Sequence, residues 1–456
     1  MTSSLSDRAT ALFDALALRF DAGDAAATDL QRCLRMVLVD TMAVAMAGLG
    51  QPALRALQEQ QQRLAPGPVE LPGLGGSLSA GAATQVLAAA ACWDELVEGY
   101  APAHGRPALH VVPVCVALGE ALQRPLGAVL MALLQGYELG ARIGEAYRVP
   151  AGEHVDGTWG TVGATMAASV LLQLTPPQRA GALTAALAQM TRSLFRPVGE
   201  GATSRLLHPG LAAARGIDLA LAAGAGFGGP DGLDQDAVLN ALWRHPPDLG
   251  IRHGTAIEAS YVKLWPGARH LHYASAAALR WRLRRNSVPE RAAWSAQQPG
   301  LIRLRTYNEA CAYCDHPRPS NRIQAQFSLQ FAVAATLLWG ELKPASFQEE
   351  RLTDLQLMNL LEHIHVEAVD DHPGRWAELM VCEAGGPVES ELVLGLPGDP
   401  NLPISEPERL AKARALMEPL IGPARAGGLM QHWLEASLQE PLLPPGQLPW
   451  GGIRRD

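Results

Sequence analysis

The 456-residue chain is poor in cysteine, in aromatic side chains and in long apolar runs. Its six cysteines (Cys33, Cys92, Cys115, Cys311, Cys314 and Cys382) are scattered along the chain. Such scatter in a large chain argues against a disulfide-built scaffold and suits a reducing compartment. Cys311-Ala-Tyr-Cys314 has the spacing of a redox or zinc pair. No second pair accompanies it, so no structural zinc site is expected. Aromatic residues make up only 5% of the chain, and no uninterrupted apolar run reaches the roughly 18 residues a spanning helix needs. The Ala-rich segment from Leu211 comes nearest, and Arg215 and Asp218 break it. The N-terminus has no basic stretch followed by an apolar block, so no signal peptide is expected. A net charge of −8 provides no global basic footprint for nucleic acid or for an anionic membrane. These absences together lead us to expect a soluble, cytoplasmic protein.

The composition is globular, 48% hydrophobic and 18% charged, and the length favours two domains. The first ~290 residues are dense in Ala and Leu at helical spacing. Leu30, Cys33, Leu34, Val37, Leu38 and Met42 share one face, with Asp29 placed to cap their helix. Further helices are expected over 83–96, 113–122, 126–147, 161–174, 177–193, 209–223 and 234–243. Beyond about residue 296 the pattern changes to β-type alternation, at 301–307, 363–369, 376–382 and 389–394. Helices are expected between these runs, at 323–338 and 352–361. Ser405-Glu-Pro-Glu408 reads as a capping box opening a last helix through Leu420. The pattern is mainly α, with a multi-helical domain followed by a smaller α+β domain.

Five segments concentrate groups able to move protons or bind anions. His154-Val-Asp-Gly-Thr-Trp-Gly-Thr-Val-Gly-Ala-Thr-Met-Ala-Ala-Ser sets an imidazole before a run of mostly small residues. Gly160, Gly163, Ala164, Ala167 and Ala168 allow close helix approach, and Asp156 and Thr158 are placed to cap the helix. The N–H groups at such a helix start favour an anion, and histidine transfers protons near neutral pH. Asp94-Glu-Leu-Val-Glu98-Gly-Tyr-Ala-Pro-Ala-His104 joins carboxylates to an imidazole. Arg205-Leu-Leu-His208-Pro-Gly precedes another small-residue helix, and Lys263-Leu-Trp-Pro-Gly-Ala-Arg-His270-Leu-His272 combines cations with imidazoles. Tyr313-Cys-Asp-His316-Pro-Arg-Pro-Ser completes the set. Taken singly, each reads as ordinary structure: solvated carboxylates, surface cations, histidines alternating in a turn, a core tyrosine.

Taken in order, these segments resemble the MmgE/PrpD family, which includes 2-methylcitrate dehydratases, cis-aconitate decarboxylases and an iminodisuccinate epimerase. The resemblance begins at Leu38-Val-Asp40-Thr-Met-Ala-Val-Ala-Met-Ala-Gly48 and continues through Gly136-Tyr-Glu138-Leu-Gly-Ala-Arg142. It includes the His154 run, His208-Pro-Gly210, Lys263-Leu-Trp-Pro266 with His272, and Ala325-Gln-Phe-Ser328, and ends near Gly398-Asp-Pro-Asn-Leu-Pro-Ile-Ser. It implies a helical core domain (1–268), an α+β lid domain (269–404) and a C-terminal segment (405–456) returning to the core. It also implies a homodimer and no cofactor. The family's pocket residues carry over to Asp94, His104, His154, His272 and Tyr313. Three departures stand out. Glu98 replaces a threonine, Arg205 replaces a lysine, and Asp315-His316-Pro317 replaces Asn-Arg-Pro.

The resemblance implies a cofactor-independent lyase of the dehydratase or decarboxylase type, acting on a compact di- or tricarboxylate or a related biosynthetic intermediate. His154 or His104 is then the general base or acid. Arg205, Lys263 and His272 bind the substrate and stabilise its enediolate, with Glu98 and His208 also at the binding site. Tyr313 or a protonated histidine assists the leaving group or protonates carbon, and Asp94 orients an imidazole. Arginine stays charged where lysine can lose a proton, so Arg205 is expected to clamp a carboxylate. The alternatives are an epimerase or isomerase, an enolate-type cyclase, and a binding or scaffold protein that has lost its chemistry.

Overall fold

A computed structural model describes residues 4–71, 76–251, 254–287, 299–383 and 386–444. The change of pattern near residue 296 lies outside the described residues. The fold is mainly α, with a multi-helical core domain and a smaller α+β domain. Its hydrophobic interior divides in two. One cluster takes residues from Leu5 to Ile257 and again from Ala413 to Leu442; the other takes Val198 and residues from Ala268 to Leu396.

Small residues set the helix spacing in the core. A Cβ built on Gly163 would lie 2.7 Å from the carbonyl oxygen of Gly136, so the Leu126–Ala146 and Gly160–Leu171 helices touch backbone to backbone. Any side chain there would force them apart, which dense protein interiors resist. The Ala80–Cys92, Pro107–Ala121 and His208–Gly224 helices complete this buried layer. The Ala25–Leu49 helix packs against the C-terminal Glu406–Ile421 helix, and Lys412 donates to Asp40 at 2.7 Å between them. Among the described residues no single helix is long and apolar enough to cross a membrane.

Several boundaries differ from the sequence expectation. Asp24, not Asp29, caps the Ala25–Leu49 helix. Pro113 sits inside its helix, which begins at Pro107; a proline permitted at a first turn was read as the start of a helix already under way. The expected helix at 234–243 is reduced to Leu233–Gln235 and Ala237–Asn240. The one at 323–338 is broken into Arg322–Ala325 and Leu329–Trp339, where Ser328 caps the second piece. The Ser405–Glu408 capping box is present, with both reciprocal bonds formed.

Strands β1 (Val69–Glu70) and β2 (Ser77–Leu78) form a small antiparallel pair. Strands β3 (Leu301–Thr306), β4 (Ile364–Ala368), β5 (Ala377–Cys382) and β6 (Val388–Val393) match the four alternating runs. Their order is β4-β3-β5-β6, with β3 and β4 parallel and the other pairs antiparallel. Ile302 and Leu304 on β3 and Leu379 and Val381 on β5 are buried, while their neighbours are more exposed. The period of two therefore gives one covered face, against the Arg269–Asn286 and Leu329–Trp339 helices.

Candidate active site

A cavity of about 190 Å³ lies between the helical core and the lid. Glu95, His104 and His154 line it from the core, and His270, Glu309 and Tyr313 from the lid. His104 ends the short Ala101–Ala103 turn with φ +52°, and Glu95 has φ +53°. A left-handed backbone costs a non-glycine residue on the order of 1–2 kcal/mol. The surrounding structure holds both residues there: Gly99 exchanges backbone bonds with Tyr261, and the Tyr100 N–H donates to the Gly105 carbonyl.

His104 Nδ1 lies 3.0 Å from Glu309 Oε1. Burial alone would raise the Glu309 carboxyl, but the hydrogen bond from His104, with His270 and Arg375 nearby, brings it down to about 2. An ionised carboxylate only accepts, so Nδ1 is the nitrogen that carries a proton toward Glu309. His154 has the opposite tautomer. Its Nδ1 accepts the Asp156 backbone N–H at 3.0 Å, which places the proton on Nε2. Burial lowers this imidazole to about 4 against the pull of Asp156, so it is neutral at physiological pH. Its ring stacks on Phe195, with centroids 5.9 Å apart and planes 14° from parallel.

Asp156 does not cap the following helix. That helix starts at Gly160 without a side-chain cap, and the Gly157 N–H donates to His110 Nε2 at 3.1 Å. Thr158 and Trp159 carbonyls accept the next N–H groups, so the helix start is not the open anion site its small residues suggested. Asp156 instead joins a buried ionic cluster in the cavity wall, where Glu95, Arg106, Asp156 and Lys263 line the cavity and only Arg205 does not. Arg106 pairs with Glu95 at 2.7 Å and with Asp156. Arg205 pairs with Glu95, lies 3.7 Å from Asp156, and donates to Cys92 Sγ at 3.2 Å. Lys263 Nζ lies 3.5 Å from Glu95 and donates to the Glu95 and Gly267 carbonyls.

Burial by itself would raise both carboxyls, but Arg106, Arg205 and Lys263 hold Glu95 below the usual carboxylate range. Arg106, His154 and Arg205 do the same for Asp156. Burial takes Lys263 down to about 7, against the attraction of Glu95. Cys92, Glu95 and Asp156 converge closely enough to hold a metal ion. Their chemistry does not favour one, because the carboxylates already face two guanidinium groups and an ammonium, and burial raises the Cys92 thiol to about 11.

Of the residues expected at the site, His104, His154, Lys263 and Tyr313 line the cavity. Tyr313 packs 5.2 Å from Phe195 and nearly parallel to His270. Arg205 is fully buried, beneath Phe327 and engaged with Glu95, so it does not reach the cavity as a carboxylate clamp. Asp94 pairs with Arg322 of the lid rather than with an imidazole. Glu98 accepts the Ala108 N–H at 2.9 Å, on the first turn of the Pro107–Ala121 helix, and the Tyr137 hydroxyl at 2.8 Å. His208 is the first residue of its helix, 6.3 Å from the His154 ring and behind it. His272 is fully buried beside Arg269 and Trp265.

Sequence reasoning did not select Glu95, His270, Glu309 or Arg375, all of which line the cavity. Two of these had a local signal. Glu95 lies inside the acidic segment, and His270 lies in the segment of His272. The two histidines share the Arg269–Asn286 helix, where residues two apart point to different sides. His270 therefore faces the cavity, its Nδ1 2.5 Å from the Tyr307 hydroxyl, while His272 faces the interior.

Two domain descriptions match the chain: the MmgE/PrpD N-terminal domain over residues 17–237 and the MmgE/PrpD C-terminal domain over 265–435. The chain is 30% identical to a cis-aconitate decarboxylase of Mus musculus over 299 residues, covering 61% of this chain and 59% of that protein. It is 29% identical to a cis-aconitate decarboxylase of Homo sapiens over 298 residues, covering 61% and 60%. The aligned part thus spans about three fifths of the length of these relatives.

Proposed function

Because the chain belongs to the MmgE/PrpD family, we propose that it is a carboxylate lyase of the dehydratase or decarboxylase type, working by proton transfer at a carbon beside a carboxylate. The observation that carries this reading is the His104–Glu309 pair, set in the wall of a cavity that also holds a neutral His154. Glu309 fixes the His104 tautomer and stabilises the imidazolium once a proton is taken, a role for which its low pKa suits it. His154 donates from Nε2 to the oxygen on which charge develops, without itself becoming charged. Lys263, brought to about 7, can give up a proton at neutral pH.

The two reactions share a carbanion delocalised into the adjacent carboxylate or unsaturated acid. In dehydration, His104 takes the carbon-bound proton and an enediolate forms. A carbon–carbon double bond then closes as the C–O bond breaks, and the hydroxyl leaves with a proton from the acid as water. In decarboxylation, the C–C bond to the carboxylate breaks and CO₂ leaves. Its electron pair stays on the substrate, and His104, entering this reaction as the imidazolium paired with Glu309, delivers a proton from Nε2 to carbon and is left neutral. Neither sequence requires a resident cofactor, because base, acid and charge stabilisation all come from side chains. A homodimer is part of the same proposal and rests on the family alone; a monomer by light scattering at micromolar concentration would count against it.

The test is incubation with di- and tricarboxylates, cis-aconitate first, in D₂O, with NMR and mass spectrometry of the products. Loss of CO₂ with solvent deuterium on carbon of the product, or loss of water with loss of the carbon-bound hydrogen, supports the reading. Deuterium exchange with neither loss would replace it by an isomerase. No turnover and no exchange across the panel would contradict it.

A further inference from the structure

The charges around the cavity are nearly all spoken for. Arg106 and Lys263 face Glu95, Arg269 pairs with Asp399 beneath the Tyr261 ring, Glu153 pairs with Arg192, and Glu309 with His104. Among the described residues lining the cavity, two charged groups remain with neither an ion pair nor a side-chain hydrogen bond, Arg375 and Arg244. They come from different domains. Arg375 lies on the lid between β4 and β5, and Arg244 on the core just after the Ala237–Asn240 helix.

The backbone next to Arg375 is anchored. The next residue, Trp376, is fully buried, and its carbonyl accepts the Thr306 hydroxyl at 2.6 Å. His372 stacks edge-on against the same indole, with centroids 4.8 Å apart. The groups whose charge acts most on Arg375 are Tyr261, Tyr307, Glu309 and Tyr273, of which only Glu309 is a carboxylate, and it is committed to His104. A guanidinium with no ion-pair partner still offers five donors in a fixed fork, and its natural complement is a carboxylate. Arg244 is exposed, and its charge is felt by Tyr313.

We propose that Arg375 and Arg244 are the substrate-binding residues of this cavity, one on each domain, and that together they select an anion with two carboxylates over an otherwise similar anion with one. This rests on the lyase reading and assigns to these arginines the clamping role that buried Arg205 cannot fill. A two-domain grip also means that a bound dianion ties the lid to the core.

The experiment compares the wild type with Arg375→Gln, Arg375→Lys and Arg244→Gln. It measures steady-state kinetics on cis-aconitate, or on whichever polycarboxylate is turned over, and calorimetric binding of the unreactive tricarballylate. Circular dichroism establishes folding. Each glutamine variant is expected to raise Kd and KM on the order of 10- to 100-fold, as for a lost charge-assisted hydrogen bond. The kcat should fall less than KM rises, and Arg375→Lys should recover part of the binding. Should Arg375→Gln fail to fold, Arg244→Gln on the exposed rim and Arg375→Lys still decide the matter. Folded variants with wild-type Kd and KM would overturn the clamp and leave the lyase reading standing. A wild type that binds tricarballylate but turns over no carboxylate would overturn the lyase reading, with the Kd values still judging the clamp. A wild type that neither binds nor turns over a polycarboxylate would overturn both.

Discussion

His104 on the core and Glu309 on the lid meet at 3.0 Å across 205 residues of chain. The contact joins the two domains at the cavity and directs the Nδ1 proton to Glu309. A base assembled this way exists only when the lid is seated, which ties the chemistry to the packing of two separate hydrophobic clusters.

Glu309→Gln removes the charge that orients and stabilises His104. The kcat is expected to fall on the order of 10- to 100-fold with KM little changed, the usual effect of losing an orienting partner. Glu309→Asp should recover part of the loss. Steady-state kinetics at fixed pH decide this, and a wild-type kcat for Glu309→Gln would detach Glu309 from the mechanism.

The pH profile bears on Lys263. Its pKa is lowered from 10.5 to about 7, so its ammonium form is present below that value and is lost above it. If Lys263 supplies a proton, kcat declines as pH rises through about 7, and Lys263→Met abolishes that limb together with most of the activity. A wild-type profile flat from about pH 6 to 9 would exclude Lys263 as the acid.

Much of the architecture was legible because it depends on local periodicity. The four strands of the lid, the small-residue helices and the Ser405 capping box all follow from neighbours within a few residues. The site was legible only in part. His104, His154, Lys263 and Tyr313 lie in segments that announce themselves, but what each one does depends on partners distant in sequence. Glu309 follows an ordinary strand, and Arg375 sits in a surface-like polar loop; only lid docking gives either a meaning. Arg205 shows the opposite error. Its charge suggested a substrate, while the fold uses it to neutralise buried carboxylates.

Removing that cation should therefore act first on stability. Arg205→Ala leaves Glu95 and Asp156 short of a buried counter-charge, and breaking such a pair costs about 3–5 kcal/mol. Arg205→Lys keeps the charge but loses the fork, with a smaller cost. Chemical denaturation measures both. An Arg205→Ala protein as stable as wild type but with a raised KM would return Arg205 to the substrate.

Glu98 makes a separate prediction about stability and pH. Burial raises its carboxyl from 4.5 to about 7, against the bonds from Ala108 and Tyr137. The folded state therefore holds this proton more tightly than the unfolded state. Its contribution to stability is present below the unfolded pKa and is lost as pH rises from about 4.5 to about 7. Glu98→Gln accepts the Ala108 N–H without ionising. It should gain on the order of 1–3 kcal/mol over wild type at pH 8 and show a flatter pH dependence. Urea denaturation at pH 5 and pH 8 is the check; an unchanged slope with pH would contradict the assignment.

The central claim is that His104 Nε2 moves the proton on carbon. Rapid-quench single-turnover experiments in D₂O with cis-aconitate, or the polycarboxylate found to react, test it most directly by comparing wild type with His104→Gln. The account predicts product release by wild type, with solvent deuterium at carbon if CO₂ is lost and loss of the carbon-bound hydrogen if water is lost. For His104→Gln, with the cavity otherwise intact, it predicts exchange and product formation slowed by at least ~10²-fold, the low end for a lost general base. Product formation and deuterium incorporation by His104→Gln within about twofold of wild type would contradict it.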